Sequence, residues 1–236
     1  KNGRTFPPPF DFDYSSEDFH GNNLESATDP KSSFEKLPIQ WRESILLQVE
    51  IIQQNLAPEA SILEIGCGEG ILLHQLALRG FNVHGVEPGI NASDRARKSG
   101  LNVITGHYPE DAPPGPFHGI ILSHVLEHLE SPGEILQDLL TRNPEAHVFL
   151  VQTNFQGVIP RLRKTKWYAW APEQHFWHFS TEGITYLARN HGYEVTGVTY
   201  SSLCHQPILH RFLNLIASWF PNQFDQMHIT LTPSER

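Results

Sequence analysis

Three groups of residues have the types and spacing to do chemistry. The first is the run Ile62-Leu63-Glu64-Ile65-Gly66-Cys67-Gly68-Glu69-Gly70, an apolar stretch entering a glycine-rich turn. Gly66 and Gly68 let the backbone turn tightly and let a ligand approach with no Cβ in the way. A helix starting just after them offers free N–H groups. The second group is His124-Val125-Leu126-Glu127-His128. Its imidazoles can move protons near neutral pH, and its spacing spells the His-x-x-Glu-His zinc signature, which needs His124 and His128 on one helix face. The third group spans 161–179. There Arg161, Arg163, Lys164 and Lys166 face only Glu173 in charge and are interleaved with Trp167, Tyr168, Trp170, His175, Phe176, Trp177 and Phe179. Aromatic faces stack on rings or sugars, and cations pair with carboxylates or phosphates.

Regular elements must hold these groups. Apolar runs at Ser61–Ile65, Asn82–Val86, Leu101–Ile104, His118–Ser123 and Ala146–Gln152 read as strands, and helical patterns lie between most of them: Glu69–Arg79, Asn91–Ser99 and, from a Ser131–Glu134 capping box, Pro132–Arg142. This alternation predicts an α/β fold with a parallel sheet and right-handed crossovers. A helix over about 41–56 precedes it. After Gln152 the rhythm breaks into a turn-rich lid at about 154–179. A helix capped by Ser180, a strand Tyr193–Tyr200, a helix Pro207–Trp219 and a final edge strand Met227–Leu231 complete the chain. Residues 1–40, with Pro7-Pro8-Pro9 among aromatics, read as an irregular arm on a single domain over 41–236.

The glycine turn admits three ligand classes, and spacing separates them. A P-loop needs Gly-Lys-Ser/Thr at its end, but Ile71 follows Gly70. A dinucleotide fingerprint needs Gly-x-Gly-x-x-Gly, whereas the order here is Gly-x-Gly-x-Gly. S-adenosylmethionine remains; it has no phosphate to cradle, and Glu64 suits its ammonium and sulfonium. Glu87, followed by Pro88 at the end of the second strand, is placed to accept from two ribose hydroxyls. Composition agrees with a globular small-molecule protein. The chain has 236 residues, 39% hydrophobic and 18% charged, with a net charge of −9 that excludes a general nucleic-acid binder. Two cysteines make no disulfide framework, and with neither a membrane-spanning run nor a signal-peptide pattern the expected setting is the cytoplasm.

The run Leu63–Gly70 followed by Glu87 closely resembles motif I and the second-strand acid of class I S-adenosylmethionine-dependent methyltransferases. Ser123-His124-Val125-Leu126-Glu127-His128-Leu129 with Pro132, and Pro172-Glu173-Gln174-His175-Phe176-Trp177-His178-Phe179-Ser180, are similar to segments of the type-23 methyltransferase-domain group, relatives of the ubiquinone-biosynthesis O-methyltransferases. The resemblance covers roughly residues 40–200. It implies a Rossmann-like, seven-stranded, mostly parallel sheet with an antiparallel last strand, and methyl transfer to a small acceptor, an oxygen before a nitrogen or carbon. Glu64, Gly66, Cys67, Gly68 and Gly70 would line the methionine part, Cys67 through its backbone. Glu87 and Pro88 would hold the ribose, and Ser123 and His124 would face the methyl group. His107 stands where the group commonly has an aspartate meeting the adenine amino group. His128, then His175, then His124 are the general-base candidates, with a pKa range suited to proton removal near neutral pH, and Arg161, Arg163, Trp167, Trp170, His175 and Trp177 are the candidate acceptor pocket. In some related methyltransferases the segment reads Glu-x-x-Glu-His and binds a divalent metal. Here His124, Glu127, His128 and His175 are the metal candidates, although Glu127 and His128 ordering the turn by hydrogen bonds is the preferred reading. The competing classes are a non-catalytic cofactor-binding module and a zinc hydrolase.

Overall fold

The short strands, rich in Ile, Leu and Val, are buried on both faces, and that is the setting of a parallel sheet covered by helices. The computed structural model describes residues 29–171, 173–203 and 224–234. Its strands are β1 (Ser61–Ile65), β2 (Asn82–Glu87), β3 (Asn102–Thr105), β4 (Gly119–Ser123), β5 (His147–Thr153), β6 (Tyr193–Ser201) and β7 (Gln226–Pro233). Its helices are α1 (Pro30–Lys36), α2 (Ile39–Asn55), α3 (Ile71–Ala77), α4 (Ile90–Lys98), α5 (Pro132–Arg142), α6 (Val158–Arg163) and α7 (Thr181–Asn190). The sheet order is β3-β2-β1-β4-β5-β7-β6. β1 to β5 pair in parallel, and β7 runs antiparallel to both neighbours. The seven-stranded Rossmann-like expectation is met.

Successive residues of a strand point to opposite faces, so one strand feeds two cores. Leu63, Ile120, Leu122, Val148 and Leu150 pack with Leu136 and Leu139 of α5 and Ile184 and Ala188 of α7. The intervening Ile62, Ile121 and Phe149 meet Val49 and Ile52 of α2, Leu72, Leu73 and Leu76 of α3, and Ala96 of α4. Burying each large aliphatic side chain contributes about 1.5–3 kcal/mol. The two cores therefore fix which strand ends lie side by side, and the site depends on that.

Several expectations are corrected. β7 is not an edge strand: it lies between β5 and β6, and its polar His228 and Thr230 are only 3% and 4% exposed. Its sequence alternates because Met227, Ile229 and Leu231 enter the apolar core on one face while Gln226, His228 and Thr230 are buried as polar groups on the other. The described end of the arm is helical rather than irregular. Asp29 caps α1, its side chain accepting from Ser32 N while Ser32 Oγ accepts from the Asp29 N–H. Ser131 makes no side-chain cap on α5; its carbonyl accepts from Glu134 N at 3.1 Å instead. Ser180 does cap α7, accepting from Gly183 N at 3.1 Å. α6 lies within the lid, where too few periodic positions announce it. α3 is shorter than expected because Glu69 and Gly70 belong to the turn. Residues 1–28, Pro172, Cys204 and the helix expected at Pro207–Trp219 lie outside the described residues.

Candidate active site

Ligand crevices in open α/β sheets form outside the carboxyl ends of the strands, where strand order reverses. Here that point lies between β1 and β4. β1 runs into a turn where Gly66 and Gly70 have φ of +67° and +75°, the left-handed region that glycine enters freely. A Cβ on Gly66 would stand 2.7 Å from Val125 Cγ2, and one on Gly70 would overlap the Leu101 side chain. Both positions require glycine for space as well as conformation.

Glu87 organises this turn. It is 3% exposed, and its Oε2 accepts from Gly68 N while Oε1 accepts from Gly89 N, both at 2.8 Å. One carboxylate thus ties the end of β2 to the turn after β1. Glu69, which the sequence reading left without a role, accepts from Ser33 Oγ at 2.8 Å and pairs with Arg95 at 2.6 Å, joining α1 and α4 to the same turn. Glu64 lies behind it, 4% exposed, with Oε2 lacking a hydrogen-bond partner among the described residues. Burial, reinforced by the Glu87 charge, pushes its carboxyl well above the usual range.

A cleft with about 790 Å³ of empty space, part of it open to solvent, lies over these strand ends. Its wall takes Ile65 and Gly66 at the end of β1, Val86, Glu87 and Pro88 at the end of β2, Gly106, His107 and Tyr108 after β3, and His124, Val125, His128 and Leu129 after β4. His107 is exposed, and its backbone N–H donates to Asp111 Oδ2 at 2.9 Å, so Asp111 closes the turn after β3.

The second motif folds as a strand end and a 3₁₀ turn (Leu126–His128), not as a zinc helix. His124 adopts φ +56°, rare for a non-glycine residue. Its Nδ1 lies 3.5 Å from Glu127 Oε1, and its Nε2 lies 2.9 Å from Gln226 Nε2. Burial raises the Glu127 pKa, but the His124 hydrogen bond and the nearby imidazoles overcome this and bring it to about 2.

The lid clamps this turn. Phe176 N and Trp177 N donate to the Glu127 carbonyl, and Trp177 Nε1 donates to Leu129 O at 2.9 Å. His128 Nδ1 donates to Gln174 O at 3.0 Å and His175 Nδ1 to Ala169 O at 2.9 Å, since a carbonyl only accepts. In their neutral forms both rings are therefore Nδ1–H tautomers. Their centroids are 4.7 Å apart, and one ligand atom each from Glu127, His128 and His175 falls within a 4.8 Å group. Burial lowers the His128 pKa, with the Glu127 charge opposing and His175 adding to the shift.

The structure therefore brings Gly66, Glu87, Pro88, His107, His124 and His128 to one cleft and sets His175 against His128. Glu64, Cys67, Gly68, Gly70 and Ser123 stand behind the lining rather than in it. Trp167 is buried inside the lid, where Trp170 packs on it at 5.3 Å, and Trp177 packs on the main core. Arg161 and Arg163 are exposed on α6 and do not line the cleft. The sequence reading missed Tyr108 as a wall residue, although it follows His107 directly. It also missed Gln226, for which no local signal exists.

Sheet order, glycine turn and strand-end acid together define a class I S-adenosylmethionine-dependent methyltransferase. The residues fit that cofactor: Glu64 keeps an unpartnered oxygen behind the turn, and Gly66 opens a cradle that a Cβ would fill. A family profile described as a methyltransferase domain, of type 23, matches residues 36–198, and the chain belongs to that family. Curated relatives include a ubiquinone biosynthesis O-methyltransferase of Pseudomonas aeruginosa, 32% identical over 38% of this chain and 48% of the relative. Another, from Colwellia psychrerythraea, is 31% identical over 46% of this chain and 48% of the relative. These matches span about half the relatives' length. The fold is shared with magnesium protoporphyrin IX methyltransferase of Synechocystis, solved with bound S-adenosylhomocysteine (TM-score 0.63, 13% identity, 86% of this chain and 87% of that one). It is also shared with an S-adenosylmethionine-dependent methyltransferase of Archaeoglobus fulgidus (TM-score 0.61, 16% identity, 81% and 94% covered). No helix among the described residues is long and apolar enough to cross a membrane.

Proposed function

We propose that the protein transfers a methyl group to a hydroxyl of a small, ring-bearing or anionic acceptor. Bound S-adenosylmethionine supplies the electrophilic methyl and leaves as S-adenosylhomocysteine. Glu64, Gly66, Cys67, Gly68 and Gly70 hold its methionine part, Glu87 and Pro88 its ribose, and His107 borders its adenine, with Ser123 and His124 beside the reacting end. His128 is the general base. One observation carries this assignment: His128 lines the cleft, and its Nδ1–H donates to the Gln174 carbonyl at 3.0 Å, which fixes the ring at the cleft wall. Its lowered pKa keeps it neutral at physiological pH, and a weak base of this kind suits an acidic, ring-borne hydroxyl better than an aliphatic alcohol. Arg161 and Arg163 attract an anionic acceptor toward the lid, while Trp167, Trp170 and Trp177 shape it. Alignment and exclusion of water do much of the remaining work.

The test is transfer of labelled methyl from S-adenosylmethionine to metabolite pools, then steady-state kinetics on the acceptor found. His128→Gln is expected to lower kcat by about 10²–10⁴-fold with an unchanged cofactor Kd. An unchanged kcat removes His128 from the base role, and cofactor binding without transfer to any pool supports a non-catalytic module.

A second reading rests on Glu127, His128 and His175. Both imidazoles carry the carbonyl-bound Nδ1–H typical of metal-ligating histidines, and Glu127 Oε2 has no hydrogen-bond partner among the described residues. A divalent cation held there would acidify an acceptor hydroxyl. Full activity in chelator, with no metal found by elemental analysis, rules this out.

A further inference from the structure

The glycine turn is held from outside the two β–turn–α units that form it. Glu69 stands between Gly68 and Gly70, both in the left-handed region with φ of +54° and +75°. It is 6% exposed and does not line the cleft. Its Oε1 pairs with Arg95 of α4 at 2.6 Å, and its Oε2 accepts from Ser33 Oγ of α1 at 2.8 Å. Ser33 is 0% exposed, so its hydroxyl has no water to take the place of Glu69. α1 packs against α3, the helix that leaves the turn, yet among the described residues none of α1 joins either apolar core. Its seven residues are too few to stay helical unaided. A short helix with so little buried apolar surface is held by its polar contacts, and it opens more readily than the core.

We propose that α1 is a clamp on the cofactor turn, with Ser33 and Glu69 as positioning residues for S-adenosylmethionine binding. The role rests on the methyltransferase reading above. Glu87 fixes the turn at Gly68 N from β2, and Glu69 fixes it one residue further on from α1 and α4. A turn held at both places presents its backbone already ordered, so less of the binding free energy goes into ordering it. When α1 leaves, Glu69 Oε2 loses Ser33 and the turn regains freedom. Coupling of this kind is reciprocal. Whatever factor α1 docking adds to cofactor affinity, bound cofactor adds to α1 docking. Ser33 precedes residues 36–198, the span of the family match, so the segment in front of the domain supplies the clamp.

Hydrogen exchange of the native chain, read by mass spectrometry with and without S-adenosylhomocysteine, tests the coupling without any substitution. Peptides covering 29–37 are expected to exchange about tenfold more slowly at saturating ligand, within the range found for coupled sites. Ser33→Ala is expected to weaken the calorimetric Kd by a similar factor and to abolish the ligand-dependent slowing at 29–37. In a Glu69→Ala background, where the contact is already lost, adding Ser33→Ala is expected to change Kd by less than about twofold. A Ser33→Ala effect that persists undiminished in that background marks general destabilisation and overturns the proposal. So does native exchange at 29–37 that ignores bound ligand, or a Ser33→Ala protein with native Kd. In each of these results the ligand still binds, so the cofactor reading stands. A native chain that does not bind S-adenosylhomocysteine removes that reading and the clamp with it.

Discussion

Replacing Glu87 by glutamine tests the strand-end acid with almost no change in shape. The native carboxylate accepts from Gly68 N and Gly89 N at 2.8 Å with its two oxygens. Glutamine retains one acceptor and turns an NH₂ toward the other backbone N–H, so a buried charge-assisted bond becomes two facing donors. Such a bond is worth about 1.5–3 kcal/mol, and a stranded donor costs about 1–3 kcal/mol more. With partial relaxation the ligand-free protein should lose about 2–4 kcal/mol, and at roughly 2–4 °C per kcal/mol for a chain of this size Tm should fall by about 5–15 °C. If the same acid holds the ribose, ligand affinity falls too. At 100 times the native Kd, S-adenosylhomocysteine stabilises the native protein by about 2.7 kcal/mol, and a tenfold weaker variant gains only about 1.4 kcal/mol. Differential scanning fluorimetry with and without ligand, supported by calorimetric Kd, separates the two effects. A Tm within about 2 °C of native would refute the argument that this carboxylate organises the turn. A lowered Tm with an undiminished ligand shift would leave the turn argument intact and remove Glu87 from the ribose.

Glu64 should couple cofactor binding to proton release. Its carboxyl is held toward the neutral form by burial and by Glu87, and a cationic ligand nearby favours ionisation, so affinity for S-adenosylmethionine should rise with pH; calorimetry in buffers of different ionisation heat should show protons released, and Glu64→Gln should abolish that release, whereas an identical signal in the variant would refute the coupling. His228 should make stability fall on the acid side. Burial lowers its pKa to about 3, with His124 adding to the shift, so it adds no pH dependence above the unfolded value near 6.5, and stability is lost as pH falls from there toward 3. From pH 6.5 to 5 the loss is roughly 2 kcal/mol. Urea unfolding of His228→Gln should lack that part of the slope, and an equal slope in both proteins would place its origin elsewhere.

The cofactor half of the site was legible because its determinants are local. Gly66, Gly70 and Glu87 lie within two adjacent β–turn–α units, and the constraints they meet, a left-handed turn and two backbone amides seeking one carboxylate, act through the main chain. The acceptor half is built by side chains from distant segments. His175 reaches His128 only because lid residues 174–177 hydrogen-bond the 3₁₀ turn, and His124 meets Gln226 only because β7 inserts between β5 and β6. The same insertion explains the misreading of β7. Alternation such as Met227-His228-Ile229-Thr230-Leu231 signals one wet face when polar residues face water, but here Ser201 satisfies one nitrogen of His228 inside the fold. The lid cations show the converse. Their charge was visible, but charge alone does not say whether a side chain turns inward, and α6 leaves Arg161 and Arg163 facing outward.

The histidine-rich composition also acquires a physical meaning. His124, His128, His175 and His178 gather around the buried carboxylate of Glu127 or along the lid beside it, and His228 bonds Ser201 of β6. Burial lowers the pKa of His128, brings His178 to about 4 with His175 adding to the shift, and brings His228 to about 3. Each imidazolium formed in such a cluster repels the next, so one negative charge supports the uptake of one proton rather than several. A cluster of this kind is poorly suited to sensing pH in the physiological range, because burial disfavours the charged form of His128, His178 and His228. It is well suited to receiving a single proton from an acceptor, provided the carboxylate stays ionised and aimed at the receiving ring.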